Sequence, residues 1–362
     1  MLLGGILQFV NENAARYFHL SPRDFSVELL NNADDLHEGM SAHPVFLVKK
    51  HDGTLLFIVK VYSKFTVSSE FLKQWMINCK QINTLGLTNC SVALPFTYSI
   101  LKEWSLTAIS AATGRSLNGW MRCYSQITPN SPEHQRAFTQ LLSIVQKCAK
   151  ALAELHHAAN VKNGKVSQVI EKKEATWINY FNYLLKNNPK FRHMQNSGWQ
   201  NTLMALADKA YNTTFHTAYV HGDPSPGNIF FDEKNDQITL IDLDHALSSS
   251  MDANEFAIGP ISYDYVTAFE SLALTGRAHG LHDQQIRALQ SAFADAYRQQ
   301  AGKTLFTDTQ LRYHTCLFWI KKIIQFHELP DYFSSELNRQ AHAVVTEAIE
   351  KLEEILLVKQ RI

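Results

Sequence analysis

The chain has 362 residues, 45% apolar and 19% charged, a balance that belongs to a folded protein and excludes a disordered or fibrous one. Its 34 basic and 34 acidic residues cancel, so no basic surplus calls for nucleic acid or an anionic membrane. The 5 cysteines are widely spaced with no CxxC, which argues against a disulfide framework or structural zinc and fits a reducing, cytoplasmic setting.

The opening MLLGGILQFV lacks a basic region and a cleavage site, so it reads as a helix or strand packing on the fold. No apolar run reaches the length of a membrane span. Residues 45–50 (VFLVKK) and 55–62 (LLFIVKVY) flank His51-Asp52-Gly53-Thr54, and an Asp-Gly between two β-rich runs predicts a hairpin. Over residues 68–85, Phe71, Leu72, Trp75, Met76, Cys79 and Ile82 recur at helical spacing, with Ser68 or Ser69 as cap and Gly86 as stop. Further strands are expected at 91–96 and 106–112.

From Ser131 the period turns helical, with a long amphipathic helix over 138–157 and a polar loop at 160–165. Helices run on to about residue 212, a strand-rich island spans 218–243, and the remainder is helical. A small β-rich unit followed by a large helical one predicts an α+β fold of two lobes with a cleft between them. The expected division is an N-lobe of residues 1–112 and a C-lobe of residues 113–362.

The densest chemistry lies in YVHGDPSPGNIFFDEKNDQITLIDLDHA, residues 219–246. Residues 228–232 and 237–241 are β-rich runs joined by a polar turn, hence a second hairpin. That hairpin would set Asn228 and Asp242 at neighbouring strand ends, where two oxygen-bearing side chains can converge on magnesium. Asp223, five residues before Asn228, sits on a tight Gly/Pro loop that can aim its carboxylate into the same cleft. Taken singly, these residues read as turn and capping residues, because turns are rich in Asp and Asn. Taken together with Asp244, they fit the Asp-x4-Asn pattern of kinase catalytic loops.

HGDPSPGN followed by LIDLD closely resembles the motif pair of the aminoglycoside phosphotransferase and choline kinase-like family, a branch of the protein-kinase-like superfamily. The resemblance implies a two-lobed protein-kinase-like fold using ATP and Mg2+. It makes Asp223 the catalytic base or hydroxyl-orienting residue, Asn228 and Asp242 the magnesium ligands, and His221 a support of the loop. GPISYDYVTAFE resembles the family's Gly-x-Pro-x-x-Asp segment, with Asp264 as a brace or else an ordinary helix N-terminal acid.

LLFIVKVY resembles the strand bearing the ATP-binding lysine, giving Lys60, with Lys49 and Lys50 as rivals. Glu70, the only acid between Tyr62 and Glu103, is its candidate partner, or else only a helix N-terminal charge. Residues 106–117 resemble the inter-lobe hinge, where the backbone near Ser110 to Ala112 would bind adenine. Leu155-His156 resembles the family's Leu-His pair, for which a core role suffices.

Two features depart from the family and its relatives. Residues 31–44, where a glycine-rich phosphate loop belongs, hold only Gly39. Leu243-Asp244 follows Asp242 where a protein kinase shows Phe-Gly, and neither His-Arg-Asp nor Ala-Pro-Glu occurs, which favours a small-molecule kinase. The expectation is a magnesium-dependent kinase of a hydroxyl-bearing amino-alcohol, sugar or aminoglycoside-like molecule. A kinase-like binding scaffold and an atypical protein kinase are the alternatives. Trp177, Tyr180, Tyr263, Tyr265 and Trp319 are candidates to stack on the acceptor or to sit in the core.

Overall fold

The computed structural model describes residues 2–30, 44–63, 68–158, 162–164, 168–188, 191, 198–243, 258–302, 306–327 and 335–357. The expected first hairpin forms from β2 (Val45–Lys50) and β3 (Leu55–Ser63), with Gly53 at φ 85° in the turn. A β-branched and aromatic run on each side, closed by a residue that tolerates positive φ, is what makes this segment double back. With β1 (Phe25–Leu29), β5 (Pro95–Ile100) and β6 (Trp104–Ser110) it builds an antiparallel sheet of order β1-β2-β3-β6-β5.

Strand β3 is central, and its alternation decides what lies on each face. Phe57, Val59 and Val61 are buried with Ile6, Phe9, Val10 and Ala14 of α1 (Leu2–Phe18), so the apolar N-terminus is a helix that covers one face. The other face carries Ile58, Lys60 and Tyr62, and Tyr62 meets Trp75 of α2 (Ser69–Asn83) edge to face at 6.4 Å. Helix α2 starts where expected, because the Ser68 hydroxyl accepts the Phe71 N–H at 3.2 Å.

The strand expected at 91–96 divides in two. Residues β4 (Cys90–Val92) leave the first sheet and pair in parallel with β11 (Gln237–Leu240), giving a second sheet of order β4-β11-β10-β7 with β10 (Ile229–Asp232) and β7 (Arg115–Ser116). No short-range signal specifies a parallel pairing across some 150 residues. Gly114, just before β7, has φ 84°, and a Cβ there would stand 2.1 Å from the Phe231 carbonyl oxygen, so the crossing between the sheets requires glycine.

The rest is helical: α3 (Leu117–Ser125), α4 (Pro132–Ala158), α5 (Gln168–Asn187), α6 (Trp199–Tyr211), α7 (Ile261–Ala278), α8 (Asp283–Ala301), α9 (Asp308–Phe326) and α10 (Ser335–Leu357). The loop expected at 160–165 contains a strand, β8 (Lys162–Gly164), which pairs with β9 (Phe215–Tyr219). β12 (Ile258–Pro260) flanks β9 on its other edge. Two polar residues and a glycine carry no strand period, so their pairing is set by the neighbour alone. A β-sheet N-terminal region and a helical C-terminal region together make the two-lobed kinase-like fold. Among the described residues no helix is long and apolar enough to cross a membrane.

Two cores serve the site. One runs from α2 and the second sheet through α4 to α7 and α8, including Trp75, Val92, Leu155, Leu243 and Phe293. The other joins α5, α6, α9 and α10 around Phe181, Trp199 and Trp319. Helix α7 contributes to both, so the residues at its N-terminus are held from two sides.

Candidate active site

The second hairpin forms with Ile229 opposite Leu240, and the Ile241 N–H donates to the Asn228 carbonyl at 3.0 Å. Asn228 and Asp242 therefore stand at adjacent strand ends, Asn228 closing a 3-10 turn at Pro226–Asn228. The Asn228 amide Nδ2 donates to the Asp223 carbonyl at 2.9 Å, which ties the two residues together and leaves Oδ1 directed elsewhere. Asp242 has φ 61°, a left-handed conformation that a non-glycine residue holds only against a steric cost.

Lys60 reaches this point from the other sheet. Its ammonium pairs with Asp242 Oδ1 at 2.9 Å and lies 5.4 Å from the Tyr62 ring centroid. The lysine is 3% exposed and Asp242 is half-buried, so the cation is held in place by the sheet while the carboxylate keeps access to solvent. Lys49, one of its rivals, pairs instead with Glu28 at 2.6 Å on the outer edge.

Glu70 is not brought to Lys60. It lies exposed in the first turn of α2, two residues past the Ser68 cap, where a carboxylate faces the positive end of the helix dipole. The hinge residues are divided. Ser110 is committed to the fold, its N–H donating to the Leu94 carbonyl at 2.8 Å and its hydroxyl accepting the Leu94 N–H at 2.7 Å. Ala112 lies half-buried beyond the end of β6. Asp244 and the glycine-poor stretch 31–43 lie outside the described residues.

The loop carrying Asp223 is braced from beneath. Asp264, 0% exposed on the first turn of α7, accepts the His221 N–H at 2.5 Å and the Gly222 N–H at 2.7 Å. Gly222 needs φ 84° to present that N–H. His156 Nε2 stands 3.1 Å from Asp264 Oδ2, and its Nδ1 stands 2.7 Å from the Tyr297 hydroxyl. A carboxylate only accepts, so Nε2 carries the proton, and in the neutral ring Nδ1 accepts from Tyr297. Burial, with Asp264 nearby, pushes the Tyr297 pKa well up and keeps it a donor. His156, which a core role sufficed to explain in sequence, is thus a link between α8 and the loop. The Leu-His pair was its only sequence signal.

A third group lines the helical side. Trp177 of α5 stacks on Tyr263 of α7 at 6.2 Å. The Lys321 ammonium of α9 lies 5.5 Å and 5.9 Å from their ring centroids and donates to the Tyr263 hydroxyl at 3.3 Å. Burial opposes the charge on Lys321, but Tyr263, Asp223 and Asp264 outweigh it and the pKa is raised. For Lys322 burial prevails, with Asp223 offsetting part of it, and the pKa is lowered. Nothing in the sequence marks either lysine. Of the other aromatics, Trp319 lies wholly in the core and Tyr265 packs on Phe293, Tyr297 and Phe306, whereas Tyr180 is exposed.

A carboxylate and an amide at neighbouring strand ends, a buried cation paired to the former and a braced acid loop make a phosphate-handling arrangement. The model of the phosphotransferase enzyme family matches residues 36–303, well over half of the chain. The chain belongs to the phosphotransferase enzyme family. That membership makes the chain a phosphotransferase.

Solved structures carry the same fold. A glucosamine kinase is 15% identical, with 97% of this chain and 87% of that one covered at a TM-score of 0.57. A second structure, of glucosamine kinase in complex with glucosamine, ADP and inorganic phosphate, is 13% identical with 91% and 96% covered at 0.54. An aminoglycoside phosphotransferase from Streptomyces rimosus is 14% identical, with 86% and 96% covered at 0.54. At such identities the likeness establishes the fold. No curated protein matches the chain in sequence.

Proposed function

We propose that this phosphotransferase is a magnesium-dependent small-molecule kinase that moves the γ-phosphoryl group of ATP to a hydroxyl of a sugar, amino-alcohol or aminoglycoside-like acceptor. The observation that carries the reading is the Lys60–Asp242 pair at 2.9 Å, which joins a cation of one sheet to a carboxylate beside Asn228 on the other. In this reading residues 1–112 hold the nucleotide, with Lys60 on its phosphates and the backbone around Ala112 at the adenine. Residues 113–362 carry catalysis and the acceptor.

The donor set fits magnesium. Asn228 Oδ1 and the second oxygen of Asp242 are hard oxygen donors. Among the described residues no three His, Cys, Asp or Glu side chains cluster as a metal site, so waters and phosphates would complete the shell. Bound there, magnesium would neutralise phosphate charge as it develops. Asp223 accepts or orients the hydroxyl proton, and Asp264 fixes the loop so that the carboxylate does not drift. Lys60 holds Asp242 in its strained conformation until phosphates take over the ammonium. Transfer then needs positioning more than covalent chemistry.

The test is ATP consumption by the purified protein with a panel of sugars, amino-alcohols and aminoglycosides. Turnover should require magnesium or manganese, disappear in chelator and not return with zinc. Nucleotide binding without turnover on any acceptor would make the chain a binding scaffold.

A further inference from the structure

Tyr297 of α8 is 2% exposed, and aromatic rings box it in, with centroids of Tyr265 at 5.0 Å, Phe306 at 6.1 Å and Phe293 at 6.2 Å. Such a box fixes the ring plane and leaves one polar atom to direct, the hydroxyl. That hydroxyl stands 2.7 Å from His156 Nδ1. His156 is wholly buried, so a ring nitrogen left there without its partner carries the full cost of desolvation.

The other end of the His156 ring meets the brace. Nε2 stands 3.1 Å from Asp264 Oδ2, and the same oxygen accepts the His221 N–H, while Oδ1 accepts the Gly222 N–H. The Asp223 N–H donates to His221 Nδ1 at 3.3 Å, which ties the acid to the braced segment. A neutral imidazole has one N–H and one lone pair, so only one tautomer serves both neighbours. Protonated at Nε2, the ring donates to Asp264 and accepts from Tyr297. Protonated at Nδ1, it would turn a lone pair on the carboxylate, and Asp264 would lose one of its three donors.

We propose that Tyr297 is a positioning residue for the loop that carries Asp223. Its hydroxyl holds His156 in the Nε2-protonated tautomer and at the angle that keeps the Asp264 carboxylate under the His221 and Gly222 N–H groups. The consequence for rate rests on the kinase reading, since it passes through the hydroxyl-orienting acid; the consequence for the loop does not. Tyr297 and His156 are both buried and meet no ligand, so their loss falls on turnover and spares the binding of ATP.

Tyr297→Phe tests this, because it removes one oxygen and keeps the aromatic box. Nitrogen-15 NMR of the parent should place the His156 proton on Nε2 alone. In the variant the His221 and Gly222 amides should exchange with solvent about 10-fold faster, the weight of one buried hydrogen bond, while the β3 amides of the other lobe keep their rates. On any acceptor that is turned over with magnesium and ATP, kcat should fall about 10-fold with KM for ATP held within about 2-fold. His156→Gln, whose amide can donate to Asp264 and accept from Tyr297, should retain most of the loop protection, and His156→Leu should lose it. Adding Tyr297→Phe to His156→Leu should change the exchange by less than about 2-fold.

A His156 proton on Nδ1, or on both nitrogens, overturns the proposal, and this reading needs no variant to fold. So does unchanged Gly222 exchange in Tyr297→Phe, or an equal acceleration of the β3 amides, which would be a loss of global stability. A full Tyr297→Phe effect in the His156→Leu background also overturns it, since the hydroxyl would then act by another route. ATP consumption with an unaltered loop keeps the kinase reading and sinks this one. Faster loop exchange confined to His221 and Gly222, with no ATP consumed on any acceptor, does the reverse.

Discussion

At the proposed phosphate end of the cleft, Lys60, Asn228 and Asp242 come from two hairpins, each visible in a window of fewer than 20 residues. At the helical end, Trp177, Tyr263 and Lys321 come from three helices and meet only because α5, α7 and α9 pack around one core. The first end is bound by backbone register, which ties residue spacing to geometry. The second is bound by side-chain packing, which tolerates many sequences. A site of the first kind shows itself as a motif, and a site of the second kind does not.

The sharpest way to break this comparison is to separate Asp223 from Asp242. Asp223→Asn should retain magnesium–ATP binding while turnover falls by roughly 10²–10⁴-fold, as for loss of a positioned base. Asp242→Asn should lose nucleotide affinity as well. Equal loss of nucleotide binding in both would make Asp223 a ligand or a structural residue, and normal turnover in Asp223→Asn would end the kinase reading.

Next in size is the joint between the two ends. Asp264→Asn removes the charge that accepts two loop N–H groups and faces His156, and it should lower unfolding stability by about 3 kcal/mol in denaturant titration. A change below about 0.5 kcal/mol would mean that the brace carries no weight.

Lys60→Met tests whether the phosphate end is separable from folding. Its stem packing is kept, and the Asp242 carboxylate left without its partner retains access to solvent, which limits the cost of unpairing it. We expect ATP-dependent turnover to fall about 10- to 100-fold with stability changed by less than about 1 kcal/mol. Unchanged kinetics would transfer the nucleotide role to another lysine.

The smallest effect lies on the far side of α7. Burial pushes the Glu270 pKa up to about 7 from an ordinary 4.5, with Lys351 opposing and Glu347 adding to the shift. The folded state therefore binds this proton more tightly, and stability falls as pH rises from about 4.5 to 7. Glu270→Gln should be more stable than the parent by about 1–2 kcal/mol at pH 8 and no more stable near pH 4, read from unfolding midpoints across pH. A constant difference across that range would remove the titration as its cause.

Much of the fold was open to reading in the sequence because its signals are local. The Asp-Gly turn, the Ser68 cap, the alternation of β3 and the period of α4 each depend on residues within a few positions of one another. The constellation of Asp223, Asn228 and Asp242 was legible for the same reason. Other features belong to the tertiary structure. Pairing β4 in parallel with β11, adding β8 to β9, linking Tyr297 through His156 to Asp264, and setting Lys321 over Trp177 and Tyr263 all join distant segments. Glu70 shows the same limit from the other side. Elimination along the chain made it a candidate partner of Lys60, with a helix N-terminal charge as the alternative, and the structure gives Lys60 to Asp242, 182 residues away, because the two sheets meet there. Local spacing determines hairpins, caps and the acids they carry; which charges face one another across the cleft is decided only when the cores close.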